Sequence, residues 1–306
     1  MKSQFRRISA WSKWMLIIGL GLMVSGSAMG AALKKIVAVS RFENKTAWKG
    51  QVSLDDGMAD QLTDALMKSG QFIVLERQTL GDVMAEQDLA NSGRAAKSKS
   101  AETGKLTSAQ ALIKGTVTEF ENASAGSSTG IGVGPVKLGG KREEAHVGLI
   151  IRLIDSTTGQ VLESQRVEGK AASGGMGVGV NVGIVDFGTS GFTKTPLGKA
   201  TQIAIDNAVA IISAKMKNLP FEGRVMKVTG GEIYITAGQR NGVQAGETFI
   251  VSSVGESLVD PDTGETLGSE GKEKGTITVT DVQEKFSKAK AVGSVDVKQG
   301  DRIKSK

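Results

Sequence analysis

The stretch LTDALMKSGQFIVLER, residues 62–77, decides the fold of the first half of the chain. Leu62 and Leu66 stand at helical spacing within it, so they predict the apolar face of an α-helix. Gly70 follows where such a helix would end. Residues 72–75 are all apolar and predict a short buried strand. A helix followed directly by a buried strand is typical of an α/β unit.

Strand and helix alternate on both sides of this stretch. A short apolar strand is predicted upstream at residues 36–39, and Ser53 followed by Asp56 has the capping-box spacing of a helix start. The downstream patterns predict four elements: a helix over residues 79–90 with Leu80, Val83 and Met84 as apolar positions, a polar loop over 95–105, a short helix over 107–111 and a strand over 112–120.

Two more strands and a long helix follow. Residues 146–154 and 161–169 are strand-like, and the turn sequence TTGQ lies between them. A long helix is predicted from Thr195 and Pro196, because threonine caps a helix start and proline there lacks only an N–H that would be unpaired. Pro220 ends that helix, which places a domain boundary just before it.

Two glycine-rich segments interrupt this pattern, at residues 122–140 and 174–187. In the second segment one parity is apolar: Met176, Val178, Val180, Val182 and Ile184. The other parity is small or polar: Gly177, Gly179, Asn181 and Gly183. A transmembrane β-strand needs ~9–11 residues with such alternation, so the first set would face lipid and the second a lumen. A surface loop or a low-complexity linker is the alternative.

The C-terminal part of the chain, residues 220–306, contains short apolar runs separated by glycine turns. The apolar residues of this part do not recur at the three- to four-residue spacing of a helix. Many short strands joined by turns are typical of a small β-barrel.

The N-terminal part, residues 1–30, has the order of a secretion signal. A basic leader is followed by an apolar run and then by small residues, with cleavage expected near Gly30. The apolar run is shorter than the ~20 residues that span a bilayer, which disfavours a permanent anchor helix. The leader holds most of the formal net charge of +6, so the basic pI does not indicate nucleic-acid binding.

Side chains for catalysis are scarce in the sequence. The chain has no cysteine, which excludes disulfides, thiol catalysis and thiolate metal sites. His146 is the single histidine, and we expect it to have no catalytic or ligand role. Asp55, Asp56 and Asp60 fall at a predicted helix start, where they complement the helix dipole. We therefore expect no enzyme activity, no cofactor and no metal.

Four ordered blocks resemble the CsgG/HfaB family of outer-membrane secretion channels for curli subunits and holdfast relatives. They are VAVSRFENKTA (37–47), LTDALMKSGQFIVLER (62–77), LIKGTVTEFE (112–121) and LIIRLIDSTTGQVL (149–162). The resemblance implies a ring of periplasmic α/β domains below a barrel to which each subunit gives two hairpins. Those hairpins would lie at about residues 123–146 and 169–192.

The sequence departs from this family at two places. The lipid-modified cysteine is absent, so we expect no acyl anchor. The loop that forms the family's constriction offers only Trp48 and Gln51 here, which implies a less selective gate. Beyond the family region, GRVMKV (223–228) and GVQAGETFIV (242–251) resemble the final small barrel of flagellar assembly protein T, which suggests a binding role.

The expected fold is an α/β periplasmic domain with two amphipathic hairpin segments over residues 31–219, followed by a small all-β barrel domain over 220–306. The expected function is a ring-forming secretion channel or transport component of the curli or holdfast type. Its partners would be further copies of the chain, secreted subunits and other envelope proteins, at the periplasm or outer membrane. A soluble periplasmic scaffold or binding protein without a pore is the alternative.

Overall fold

The computed structural model describes residues 33–48, 53–95, 101, 106–126, 141–173, 191–255, 257–262, 266–269 and 271–306. The chain divides into two compact units, Met1–Gly30 and Ala31–Lys306, and all described residues belong to the second. The predicted signal peptide, the alternating residues 176–184 and Gln51 lie outside the described residues.

The first part of this unit contains a six-stranded mixed sheet. Its strands are β1 (Lys35–Val39), β2 (Glu43–Asn44), β3 (Phe72–Leu75), β4 (Ala111–Gly126), β5 (Lys141–Asp155) and β6 (Val161–Ser173). The order is β3-β1-β4-β5-β6, with β2 paired to β4. Strand β1 runs parallel to β3 and β4, whereas β4, β5 and β6 form an antiparallel meander.

Within the described ranges, three α-helices accompany the sheet: α1 (Leu54–Lys68), α2 (Leu80–Asn91) and α3 (Pro196–Asn218). The predicted starts of α1 and α3 are confirmed. The Ser53 hydroxyl accepts a hydrogen bond from the Asp56 N–H at 3.5 Å, and the Thr195 hydroxyl accepts one from the Gly198 N–H at 3.0 Å. Gly70 follows α1 with a φ of 67°, a left-handed conformation that glycine adopts without strain.

Helices α1 and α3 cover one face of the sheet. Alternate residues of β5 point into this core: Val147, Leu149, Ile151 and Leu153. Gly169 on β6 allows α3 to approach closely, because a Cβ there would collide with the Ala200 carbonyl oxygen. The other face of β4–β6 carries no helix from the described residues, and this helix-free face holds the polar side chains considered below.

Two sequence predictions for this part are wrong in detail. The short helix expected over residues 107–111 is irregular backbone that leads into β4. Gln110 instead pairs with Ile36 of β1 through both its backbone and its side chain, and this strand-like pairing overrides local helix propensity. Helix α2 forms as expected, but Val83 and Met84 are exposed, and Gln87 is its one buried residue.

The C-terminal part forms a closed six-stranded barrel. The strands of this part are β7 (Glu222–Thr229), β8 (Glu232–Ile235), β9 (Thr248–Ser252), β10 (Ser257–Val259), β11 (Thr266–Ser269), β12 (Glu273–Val282), β13 (Ser287–Ala291) and β14 (Arg302–Ser305). The barrel order is β12-β13-β8-β7-β14-β9, while β10 and β11 form a separate hairpin. Phe249, Ile235 and Ile277 fill its interior. The expectation of a small barrel is confirmed; the exact domain boundaries stay a prediction.

The barrel is hydrogen-bonded to the start of the α/β part. The Lys34 N–H donates to the Asn241 carbonyl at 2.7 Å, and the Asn241 side chain donates back to the Lys34 carbonyl at 3.4 Å. Beside this junction the Lys35 ammonium is buried and donates to the Met216 carbonyl. Burial lowers the pKa of Lys35, since a low-dielectric site disfavours the charged amine.

Candidate functional site

The three antiparallel strands of the sheet are unusually long. Strands β4, β5 and β6 contain 16, 15 and 13 residues, against about 5–6 in a typical strand. Pairing of β4 with β5 continues to Gly126 and Lys141. The strand ends therefore lead towards the two glycine-rich segments, whose central residues lie outside the described part of the chain.

The helix-free face of these strands carries a cluster of four ionisable side chains, which we call the His146 cluster: Glu119, His146, Arg166 and Glu168. Cross-strand register brings them together, because Glu119 and Glu168 both pair with Gly148 on the central strand. A β-bulge in β4 between Val117 and Glu119 turns Glu119 onto this face. Without the bulge, Glu119 would share the buried side of Val117.

His146 lies between the two carboxylates. Its Nδ1 is 3.1 Å from Glu119 Oε2, and its Nε2 is 3.3 Å from Glu168 Oε2. A neutral imidazole donates from one nitrogen only, whereas the imidazolium donates from both. A neutral ring can therefore donate to only one of the two facing carboxylates, and a bound cation could satisfy the other.

Arg166 holds the remaining oxygen of each carboxylate. Its Nη2 donates to Glu119 Oε1, and its Nε donates to Glu168 Oε1 at 3.1 Å. Hydrogen bonds from Lys170 and Arg166 lower the pKa of Glu168, and the hydrogen bond with Glu119 raises the pKa of Arg166. Both groups therefore stay charged at neutral pH.

A hollow of about 370 Å³ opens beside the cluster, between the segment after β2 and strand β4. Trp48 forms one wall, with its ring edge against Phe120 at a centroid distance of 5.1 Å and 42% of its surface exposed. The predicted role of Trp48 in a constriction, with Gln51 outside the described residues, stays a prediction. The roles of the alternating residues 176–184 also stay predictions.

Sequence reasoning missed the His146 cluster. It treated His146 as an isolated strand residue, because Glu168 is 22 residues away and nothing local indicates the register. The available signal was the shared parity of His146, Arg166 and Glu168 on two strands joined by a predicted turn. Glu119 could not be found in this way because the bulge changes its parity.

The fold defines the class of the protein: a mixed α/β domain with a long antiparallel meander, followed by a closed six-stranded β-barrel. Among the helices in the described ranges, none combines the length and apolar character that crossing a bilayer requires. The family model described as curli production assembly/transport component CsgG matches residues 22–245. The chain belongs to this family.

Individual proteins resemble the chain only weakly. No curated protein matches the chain significantly. Among solved structures, protein CT253 from Chlamydia trachomatis is 12% identical, with 60% of this chain and 97% of that chain covered and a TM-score of 0.39. A PelC dodecamer from Paraburkholderia phytofirmans is 16% identical, with 60% and 90% covered and a TM-score of 0.30.

Lipoprotein GNA1162 from Neisseria meningitidis is similar to the same extent, at 13% identity, with 60% of this chain and 99% of that chain covered and a TM-score of 0.28. At these identities and TM-scores the three likenesses carry no argument about function. The resemblance of the C-terminal barrel to flagellar assembly protein T is not shown by any of these matches and stays a prediction.

Proposed function

We propose that the protein is a ring-forming channel or transport component of the cell envelope that passes protein subunits of the curli or holdfast type. The observation that carries this proposal is the family match over residues 22–245, which includes the whole α/β part and both glycine-rich segments. The function is proposed to be binding and conduction, without enzymatic turnover.

The long meander supports the proposal. Strands β4–β6 run well past the usual strand length towards the two glycine-rich segments. If residues 176–184 form a membrane strand, their apolar parity would face lipid and their small or polar parity a lumen. Pairing with neighbouring subunits would close such strands into a barrel and remove their edges, as a bilayer requires.

The family match also supports assembly with further copies of the chain, because a ring is built from identical subunits. We propose export by a cleaved signal peptide and insertion without a lipid anchor.

Paired substitutions in the alternating segment test the membrane strand. Val180→Arg should block assembly in the membrane, since a charge at the bilayer midplane costs ~2–4 kcal/mol on the lipid face. Asn181→Arg, on the lumen parity, should be tolerated. Membrane fractionation and native electrophoresis of the extracted protein measure both. Equal tolerance of the two substitutions would contradict a membrane barrel.

The second candidate is a soluble periplasmic scaffold, which the closed C-terminal barrel favours because a complete barrel can serve as a docking module. This candidate predicts a defined envelope partner in pulldowns with the barrel present, and no conductance in planar bilayers. Conductance steps from the purified full chain would instead favour the channel.

A further inference from the structure

We propose that the His146 cluster binds a divalent transition-metal ion, with zinc as the best fit, through Glu119, His146 and Glu168. One ligand atom from each of these residues lies within 4.8 Å of the others. Glu119 contacts Nδ1 and Glu168 contacts Nε2, so an ion bound to one ring nitrogen requires the other carboxylate to rotate towards it to reach zinc–ligand distances of about 2.0–2.2 Å. The inference is independent of whether the protein forms a channel.

The donor types select the metal. One imidazole nitrogen with two carboxylate oxygens is a mixed nitrogen and oxygen set, which suits zinc and similar ions better than magnesium or calcium, since those prefer oxygen alone. Sulfur ligands are excluded because the chain has no cysteine.

Arg166 prepares the two carboxylates for a shared ligand. It bonds the Oε1 atom of both Glu119 and Glu168, so both Oε2 atoms turn towards the imidazole. Outer hydrogen bonds of this kind commonly orient metal-binding carboxylates. Lys170, whose Nζ is 3.3 Å from Glu168 Oε2, is the group that the ion would displace.

A second observation points independently to a ligand at this place. The Thr118 hydroxyl oxygen is buried and has no hydrogen-bond partner among the residues that the structure describes. It lies over Gly148, where an added Cβ would be 3.0 Å from Thr118 Oγ1 and 3.1 Å from Glu119 Oε2. Glycine at position 148 therefore lets both Thr118 Oγ1 and Glu119 Oε2 pack closely against the central strand, which places an unsatisfied hydroxyl oxygen at the edge of the cluster.

Further charged groups lie near the proposed ligands. Glu121 pairs directly with His146 across the strands, and Glu144 is on the same parity of β5. Arg166 and Lys170 face them on β6, and Lys45 lines the same hollow as Glu119 and Glu121. A bound cation would take the place of the Lys170 charge beside Glu168. The hollow beside Trp48 gives solvent access to Thr118 and Glu119.

The single histidine makes a direct test simple. Full-length chain without a histidine tag, labelled with ¹⁵N-histidine, is titrated with zinc chloride. We expect saturation at one zinc per chain and a shift of the ring nitrogen that becomes a ligand, and this binding should persist in a large excess of magnesium. Failure to reach saturable binding, or loss of binding with magnesium, would overturn the proposal.

Matched variants identify the ligands. His146→Gln and Glu168→Gln should each lower zinc affinity beyond the ~10–100-fold expected for Arg166→Gln, which removes only an orienting contact. Glu163→Gln is the control, because Glu163 is on the same strand but pairs with Lys215 of α3. Circular dichroism checks folding of each variant. Unchanged affinity in both folded ligand variants would assign the zinc to another site and refute the proposal.

Discussion

The barrel and the sheet differ in whether their strands have free edges. Each of the six barrel strands has a neighbour on both sides, because β12 pairs with both β9 and β13 and completes the circle. In the sheet, β6 pairs only with β5 among the described strands, and the meander has a polar, helix-free face. The barrel strands therefore satisfy one another's backbone hydrogen bonds, whereas the sheet leaves the free edge of β6 and a polar face that another molecule can contact.

This difference separates stability from function. The barrel contains one nearly buried ion pair, between Lys274 and Asp301. On the sheet, charges gather at the half-exposed His146 cluster, which is accessible to a ligand. We therefore expect substitution of the buried pair to destabilise the barrel, whereas substitutions in the His146 cluster should leave the sheet folded and change its binding.

The largest expected effect comes from the barrel ion pair. Lys274 Nζ lies 2.7 Å from Asp301 Oδ2, and Asp301 also accepts from the Lys298 N–H. Asp301→Asn leaves a buried ammonium without its counter-charge and should cost about 3–5 kcal/mol. Urea denaturation measures it. Asp64→Asn, which breaks an exposed pair with Lys68 on α1, should cost below ~1 kcal/mol; equal losses would contradict the contrast.

A smaller effect is expected where the helix covers the sheet. Gly169→Ala would drive a Cβ into the Ala200 carbonyl oxygen, so α3 must move away from β6 at a cost of about 1–3 kcal/mol. Gly81→Ala on α2 meets no atom within 4 Å and should change stability by less than about 1 kcal/mol, in the stabilising direction. Thermal unfolding of the two variants compares them, and a stable Gly169→Ala would refute the close packing.

The smallest expected effect is a difference between the sheet and the barrel in how stability depends on pH. Glu168 has a pKa below its ordinary 4.5, so it stabilises the fold above that value, and this contribution is lost as the pH falls through the folded-state pKa. Burial raises the pKa of Glu247 in the barrel, so it destabilises the fold above its folded-state pKa and ceases to do so below 4.5.

Stability curves between about pH 3 and pH 7 therefore provide a signed comparison. Glu168→Gln should reduce the loss of stability in acid relative to the unsubstituted chain, whereas Glu247→Gln should increase stability at neutral pH. Parallel curves for the two variants would show that the regions do not differ in this respect.

Local sequence signals predicted where the helices begin and end. Segments whose structure depends on pairing with a distant strand could not be predicted in this way. Ser53, Gly70 and Thr195 act within one turn of the backbone, so the helix ends follow from the sequence alone. The chain over residues 107–110 is irregular rather than helical, and Gln110 is hydrogen-bonded to Ile36 of β1, a neighbour that no local sequence pattern contains.

The candidate site was harder to predict for the same reason. The period of two in a strand correctly places Leu149 and Ile151 on the buried side of β5. It fails at Glu119, where one extra residue at the bulge reverses the parity of everything that follows. The His146 cluster therefore depends on the register of β4, β5 and β6, which is defined only once the three strands are paired.

The hydrogen bonds between Lys34 and Asn241 join positions that are 207 residues apart along the chain. The barrel therefore fixes the chain directly before β1, the strand that lies between β3 and β4 in the sheet. A chain without the barrel would lose these hydrogen bonds, so we expect the first residues of β1 to fray before the rest of the sheet.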